Sequence, residues 1–425
     1  MEIEPFMVEA SLAFLPTNRA VFQDPRASYV FDDAKSFFAY RQERFDLIVT
    51  EPSNPWVSGT SALFTREFYE QIGRFLADDG VLVQWMQLYE LDDDLFLSVL
   101  AALDTAFDAY RVYLIGDADV AIVASKETPL PDPDWSVASS PAMRDLTAGI
   151  PEIRPNHLES LLLFDQSVVA PLLRRRVPAN SDFHPILDLG AERARFDRSF
   201  AHGAFSFATS PLDLTRLMRE EVRPPEDHTP TPARGPVSLL RSQRGAWLRE
   251  AVQGGGGRAP EHFPEWRDAL LHLQTFLLLS GETQLGSWET WAEGFGKAAG
   301  DLHWGTTGWS DTTFYRAVHG FLERADAPAE ARAVVDLYEA VASFDWSRVA
   351  RASDRLVGPV AAGEDWMRPA TLLDAAVVAY LKRGRPLGAR NAYEALVPRT
   401  TRAPDHLRLR VLDAMIEEAA REAPP

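Results

Sequence analysis

The run from Phe45 to Met86 admits few folds. Asp46–Thr50 (DLIVT) carries apolar residues on both faces, the pattern of a strand buried on both sides within a parallel sheet. A short polar stretch, Glu51–Trp56 (EPSNPW), follows it. Thr65–Leu76 then sets Phe68, Tyr69, Ile72, Phe75 and Leu76 on one helical stripe, which Asp78-Asp79-Gly80 brings to an end. Val81–Met86 reads as a further strand. Strand, helix and strand in this order indicate an α/β sheet with crossover helices.

The flanks extend that pattern over residues 1–125. Met1–Ile3 resembles the end of a strand and Glu9–Leu15 the helix after it; Ser28–Phe31 is a short β-rich run and Ala34–Gln42 is helix-like. Asp92–Phe107 reads as a helix, and Arg111–Ile115 and Val120–Ala124 as closing strands around Gly116-Asp117. A sheet that opens this abruptly is expected to lack its first strand and the Gly-rich turn after it, as in a truncated or late-started form of a longer protein.

Beyond residue 125 the organisation changes. Residues 126–223 are mixed and proline-punctuated, with a helix expected over Leu158–Leu173. The basic run Arg174–Arg176 then reads as a solvated helix end or a contact for an anionic partner. Pro224–Pro236 (PPEDHTPTPARGP) reads as a linker and Gly254–Gly257 as a second break. From Val237 to the end, residues 237–425, the pattern is helical throughout. Ala329–Ser343 pairs with Ser347–Val357, and Pro369–Lys382 with Leu387–Leu396. These pairs recur at roughly forty residues, the spacing of helical-repeat hairpins, although an ordinary bundle would serve as well. The aromatic cluster Trp288, Trp291, Phe295, Trp304 and Trp309 reads as core or partner surface ahead of a ligand cage.

Composition removes several classes of function. A chain of 425 residues exceeds one ordinary domain, and 46% hydrophobic with 25% charged residues suffices for packed cores. The most apolar helix candidate, Leu270–Leu279, is broken by His272, Gln274 and Thr275, so no membrane span is expected, and no signal peptide is visible. Cysteine is absent, which removes disulfides and thiolate chemistry and suits a reducing cytoplasm. The nine histidines are scattered, and no metal site is expected. A net charge of −19 repels nucleic acid; it is compatible with a cationic substrate, though solubility alone is the commoner reason for it.

In α/β sheets of this kind ligands gather at the carboxyl ends of the strands. Glu2, Asp32-Asp33, Glu51–Pro55 and Gln84 fall at such positions. A carboxylate after an early strand commonly takes ribose hydroxyls, and Glu2 is placed for that. Asp32-Asp33 would serve equally as a cap for the helix beginning at Ala34, and Asn54-Pro55 as a turn. Asp182 and His184, in Asn180–Pro185, read as turn and surface residues.

The segments EPSNPW (Glu51–Trp56) and LFTREFYE (Leu63–Glu70) give the chain a resemblance to the spermidine synthase family, in particular to its large bacterial members, whose transferase domain often follows membrane helices. The resemblance covers residues 1 to about 125, and more loosely reaches about 195 through Asn180–Pro185. It implies a Rossmann-type, methyltransferase-like, mostly parallel sheet, here followed by an all-α, helical-repeat-like domain. It also implies aminopropyl transfer from decarboxylated S-adenosylmethionine to putrescine or a related polyamine, with no metal. Position by position, Glu2 would take the ribose and Asp33 the adenine amino group, with Asp32 beside it on the cofactor side. Glu51 falls on the first acid of the family's amine-side segment, the usual candidate base, and Asn54 on the second. Gln84 lies near a glutamine lining the amine site, one residue short in its spacing from Gly80.

Those residue types suit the chemistry, because a protonated amine must lose a proton to a carboxylate before it can attack the carbon beside a sulfonium. Two departures weigh against full activity. Glu51 is one methylene longer than an aspartate, and Asn54 lacks a charge where a second acid is expected. Two alternatives therefore stand beside aminopropyl transfer. One is S-adenosylmethionine-dependent methyl transfer; the other is a non-catalytic scaffold that binds a protein through the C-terminal helices.

Overall fold

The computed structural model describes the chain except at residues 41, 58, 116–117, 132–133, 135, 138–139, 148–160, 210–211, 221–244, 246, 250–263, 282–286, 304–311, 401–405 and 424–425. The expected linker Pro224–Pro236, the Gly254–Gly257 break, the Gly116-Asp117 turn, Trp304 and Trp309 lie outside the described residues.

Five strands, β1 (Phe45–Thr50), β2 (Leu76–Gln87), β3 (Ala109–Ile115), β4 (Asp119–Ser125) and β5 (Leu162–Asp165), form one sheet in the order β1-β2-β4-β3-β5. β1 and β2 pair in parallel, with Ile48 beside Leu82 and Thr50 beside Gln84. The pairings β2–β4, β4–β3 and β3–β5 are antiparallel. The α/β class is as expected, but the sheet is mixed and its parallel pairing is confined to one edge. Connection length explains the difference: a helix separates β1 from β2, whereas β3 reaches β4 through a few residues, which permits only an antiparallel return.

The helices of this region are α1 (Phe6–Ser11), α2 (Arg19–Gln23), α3 (Ala34–Tyr40), α4 (Arg66–Gly73), α5 (Asp93–Asp104), α6 (Pro141–Thr147), α7 (Gln166–Arg176), α8 (Ile186–Phe196), α9 (Gly203–Thr209) and α10 (Leu214–Arg219). Caps explain two starts: the Thr65 hydroxyl accepts from Phe68 N, and the Asp92 carboxylate from Leu95 N. Phe68, Tyr69 and Ile72 of α4 and Leu95–Leu103 of α5 are buried, together with Leu82, Met86, Val112, Leu114, Val120 and Ile122 of the sheet. One face of the sheet is therefore sealed.

The other face differs from expectation. Asp46–Thr50 reads as buried on both sides, but β1 is an edge strand with Leu47 57% and Val49 61% exposed, and Ile48 alone at 8%. An apolar run fits burial on two faces, yet it is tertiary packing that supplies the second cover. Two boundaries also move. Helix α4 ends at Gly73, and the register jumps from Phe45–Leu76 to Leu47–Val81, so Ala77–Gly80 bulges out of β2. Gly80 is required there, since a Cβ would lie 2.9 Å from Ala77 N and 3.0 Å from Phe45 O. Within the helix expected over Leu158–Leu173, the described residues form instead strand β5 followed by α7, because the open edge of β3 gives Leu162–Asp165 a ladder to join.

The described helices that follow are α11 (Pro264–Gly281), α12 (Trp288–His303), α13 (Thr312–Arg324), α14 (Ala329–Ala342), α15 (Trp346–Ala362), α16 (Pro369–Lys382), α17 (Pro386–Leu396) and α18 (His406–Glu422). Antiparallel neighbours α14–α15 and α16–α17 pack as hairpins, and α15 packs on α16. Trp291 and Phe295 are fully buried, their rings stacked at 5.7 Å, so this part of the aromatic cluster is core. The last helix, α18, returns to the sheet region and packs on α7 and α9. The arginines that end α7 find their anions there: Arg176 pairs with Asp413 at 2.8 Å and Glu417 at 2.5 Å, and Arg175 with Glu418 at 3.9 Å. Among the described residues no helix is long and apolar enough to cross a membrane.

Candidate active site

The carboxyl ends of β1 and β2 carry the polar groups. β1 delivers Glu51 into an exposed turn, closed where Asn54 O accepts from Val57 N at 2.9 Å. Pro55 is buried beneath it. The chain then reverses at Gly59, whose φ of +84° belongs to the left-handed region, and enters a 3-10 turn over Thr60–Phe64. Several bonds hold this loop in place. Asn180 Nδ2 donates to Phe64 O at 2.9 Å, Arg66 N to Asn180 O at 2.9 Å, and Asp182 N to the Glu67 carboxylate at 2.9 Å. Ser61 Oγ donates to Asp188 at 2.8 Å. The expected turn role of Asn180–Pro185 is thus a splint for the Leu63–Glu70 segment. Trp56 packs edge-on against Tyr89 at 6.5 Å, with the Arg195 guanidinium 5.3 Å over its ring. These contacts tie the loop after β1 to the residues after β2.

Gln84 is fully buried on the sealed face. Its amide donates to Trp85 O at 2.9 Å, and its carbonyl oxygen accepts from the Tyr69 hydroxyl at 3.4 Å. The structure therefore places Gln84 in the core between β2 and α4, one strand turn short of the end. The residue at the end of β2 is Gln87, on the opposite face and also fully buried. Both its amide atoms lack a hydrogen-bond partner. Opposite it in the antiparallel ladder stands Asp119, whose Oδ1 is likewise buried without a partner. Burial, and after it the like charge of Glu51, raises the Asp119 carboxyl above its ordinary value of 3.8. Glu51 and Asp119 thus share one end of the sheet. Sequence reasoning missed Gln87 and Asp119. The available signal was a second glutamine in an otherwise apolar strand, but pairing it with Asp119 required the register.

The three acids expected on the cofactor side also come together. Glu2 and Phe31 form an isolated parallel bridge outside the five-stranded sheet, and Asp32 N donates to Glu2 O at 3.1 Å. Each carboxylate already serves its own backbone. Glu2 Oε1 accepts from Ile3 N at 2.9 Å and Glu4 N at 3.0 Å; Asp33 Oδ1 accepts from Ser36 N at 2.9 Å, capping α3. Asp32 accepts from Asp33 N at 2.8 Å and from the Tyr40 hydroxyl. As a set of acceptors they suit hydroxyl and amino donors of a nucleoside, and α3 is held to the site loop by Lys35–Asp182 at 2.7 Å.

Among the described residues one group has the spacing of metal ligands, His319, Asp336 and Glu339, far along the chain in the helical region. Arg348 occupies its centre of charge, 2.5 Å from Glu339 and 3.1 Å from Asp336. Burial opposes ionisation of Glu339, but Arg348 and His319 outweigh it and hold the carboxyl below its ordinary value. A guanidinium already neutralises these carboxylates, which makes the group an ion-pair network.

Comparison with known proteins bears on the same segment. Residues 1–116 match the family model described as the spermine/spermidine synthase domain. A polyamine aminopropyltransferase of Caldicellulosiruptor saccharolyticus is 29% identical over 114 residues, 27% of this chain and 41% of that protein. Polyamine aminopropyltransferase 1 of Pseudomonas aeruginosa is 36% identical over 97 residues, 21% of this chain and 34% of its own length. One from Clostridium perfringens is 35% identical over 83 residues, 20% of this chain and 29% of the relative. The chain thus spans less than half the length of these relatives. Through residues 1–116 the chain is thus similar to the spermine/spermidine synthase domain, and the loop at the end of β1 lies within that match.

Proposed function

We propose that the sheet region is an aminopropyltransferase site, taking decarboxylated S-adenosylmethionine as donor and putrescine or a related amine as acceptor. The observation that supports it best is the Glu51–Trp56 loop. It stands at the carboxyl end of β1, within the segment that matches the family, and is pinned there by Tyr89 and Arg195. In this reading the exposed Glu51 carboxylate accepts a proton from the bound ammonium. The freed nitrogen lone pair then forms a bond to the carbon beside the sulfonium, and the carbon–sulfur pair departs to sulfur as a neutral thioether. Asn54 orients the amine without adding charge, and Gln84 supports the wall from within the core. Glu2, Asp32 and Asp33 would take the ribose and adenine of the donor. The lack of cysteine suits a reducing cytoplasm as the place of action.

A second reading, binding without catalysis, is favoured by one observation: Glu2, Asp32 and Asp33 each spend a carboxylate oxygen on the local backbone. In that case the helices of 237–425 would carry the partner surface. Purified protein supplied with both substrates separates the two. Methylthioadenosine formed only when putrescine is present supports transfer. Donor binding in calorimetry without product supports the scaffold, and product formed from S-adenosylmethionine in place of its decarboxylated form points to methyl transfer.

A further inference from the structure

Asn54 leaves the expected amine pocket short of one negative charge, and the structure holds an unspent one nearby. Gln87 is fully buried, yet neither its Oε1 nor its Nε2 meets a partner, and Asp119 Oδ1 beside it meets none. Asp119 as a whole is half-buried, but its Oδ1 and the Gln87 amide are covered without hydrogen bonds, an arrangement that is costly and that native proteins retain seldom. The two lie in direct register at the last pair of the β2–β4 ladder, Gln87 opposite Asp119. Adjacent strand partners present their side chains to the same face. That face is half-covered at Val81, Val83 and Trp85 and closes over Gln87, at the end of the sheet where β1 delivers Glu51. The contrast with Gln84 is direct, since Gln84 is bonded and faces the sealed core.

We propose that Asp119 and Gln87 form the grip for the distal ammonium of a diamine, in place of the acid missing at Asn54. This rests on the aminopropyl-transfer reading and adds the source of its specificity. An alkylammonium brings three N–H donors and a positive charge. One donor serves Asp119 Oδ1 and another serves Gln87 Oε1, leaving Gln87 Nε2 to donate to the Asp119 carboxylate. The positive charge also offsets the mutual repulsion of Asp119 and Glu51. A monoamine would reach Glu51 but leave this pair as it stands. Asp119 and Gln87 are accordingly specificity residues for diamines, and the chemistry at the reacting nitrogen stays with Glu51.

The test is calorimetric titration of the full chain with putrescine and with n-butylamine, repeated for Asp119→Asn and Gln87→Leu, with thermal unfolding of each variant. The wild type should bind putrescine about tenfold to a hundredfold more tightly than butylamine, the range of one or two hydrogen bonds to a charged group. Each variant should lose most of that preference, its putrescine affinity falling much further than its butylamine affinity. Gln87→Leu should also raise the melting temperature, because it removes unbonded amide atoms; a glutamine with a structural role would lower it. A wild type that prefers putrescine, with variants that keep the preference, overturns the assignment and leaves aminopropyl transfer standing. A wild type that binds both amines equally overturns it too. A wild type that binds neither amine removes the aminopropyl-transfer reading itself, and the grip with it.

Discussion

In the helical region, Arg408 at 1% exposure meets Asp374 at 0%, and Arg348 bridges Asp336 and Glu339 beside His319. At the carboxyl end of the sheet, Asp119 faces the like charge of Glu51, and Gln87 keeps two buried amide atoms unbonded. Both regions bury polar groups, but the first supplies each charge with its opposite and the second does not. A buried ion pair serves architecture, since it loses most when one partner is removed. An unspent carboxylate and amide at a strand end have no such use within the chain, and a ligand can complete them.

The largest expected effect attacks the paired side. Asp374→Ala removes the buried carboxylate that pairs with the buried Arg408 and should cost about 3–5 kcal/mol in urea unfolding. A loss below about 1 kcal/mol would show that the pair is not structural and would blur the comparison.

On the unpaired side, Glu51→Gln should lower the rate of methylthioadenosine formation by about a hundredfold or more, and change the melting temperature little, because Glu51 is exposed. An unchanged rate would remove Glu51 from the role of base.

Acid titration sharpens the same contrast. The Asp119 carboxyl is held above 3.8 in the fold, so it costs stability once the pH has risen through the window above that value and costs nothing below it. Glu339 is held below 4.5, so its contribution is present above that value and is lost as the pH falls through its lowered folded value. Asp119→Asn should therefore raise the melting temperature at neutral pH and leave it unchanged at pH near 3. Glu339→Gln should lower it at neutral pH, with the deficit closing on acidification. The same sign for both variants would contradict the comparison.

The smallest effect concerns the seam between the regions. Arg176→Ala removes partly exposed ion pairs to Asp413 and Glu417, and should cost about 0.5–1 kcal/mol, less at high salt. A larger loss would mean that α18 is held to α7 chiefly by charge.

Much of the site was legible in the residues because it is local. A polar loop after an apolar strand marks a strand end, so Glu51 and Asn54 could be placed from order alone, and Asp33 showed itself as a cap by standing before Ala34. Gln84 and Gln87 could not be told apart in that way. They lie three positions apart, and a strand turns successive side chains to opposite faces, so only the sheet's packing decides which faces the sealed core. Asp119 lies 68 residues from Glu51 in the sequence and enters the site through the β2–β4 register.

The sequence by itself determined the alternation of strands and helices from Phe45 to Ser125, the described helices of the second half and the position of the loop after β1. Each is set by periodicity, caps and turn residues within a few positions of one another. The strands expected at Met1–Ile3 and Ser28–Phe31, by contrast, shrink to the single Glu2–Phe31 bridge. Tertiary structure decided the rest. It made Leu162–Asp165 a strand because the edge of β3 was open, and left one face of β1 exposed although its residues are apolar on both sides. It gave the arginines of α7 their acids on α18, and set Gln87 and Asp119 side by side without partners. The physical reason is common to all four. Strand pairing, burial and charge complementarity depend on what a segment meets across space, and a local pattern records only what it is able to meet.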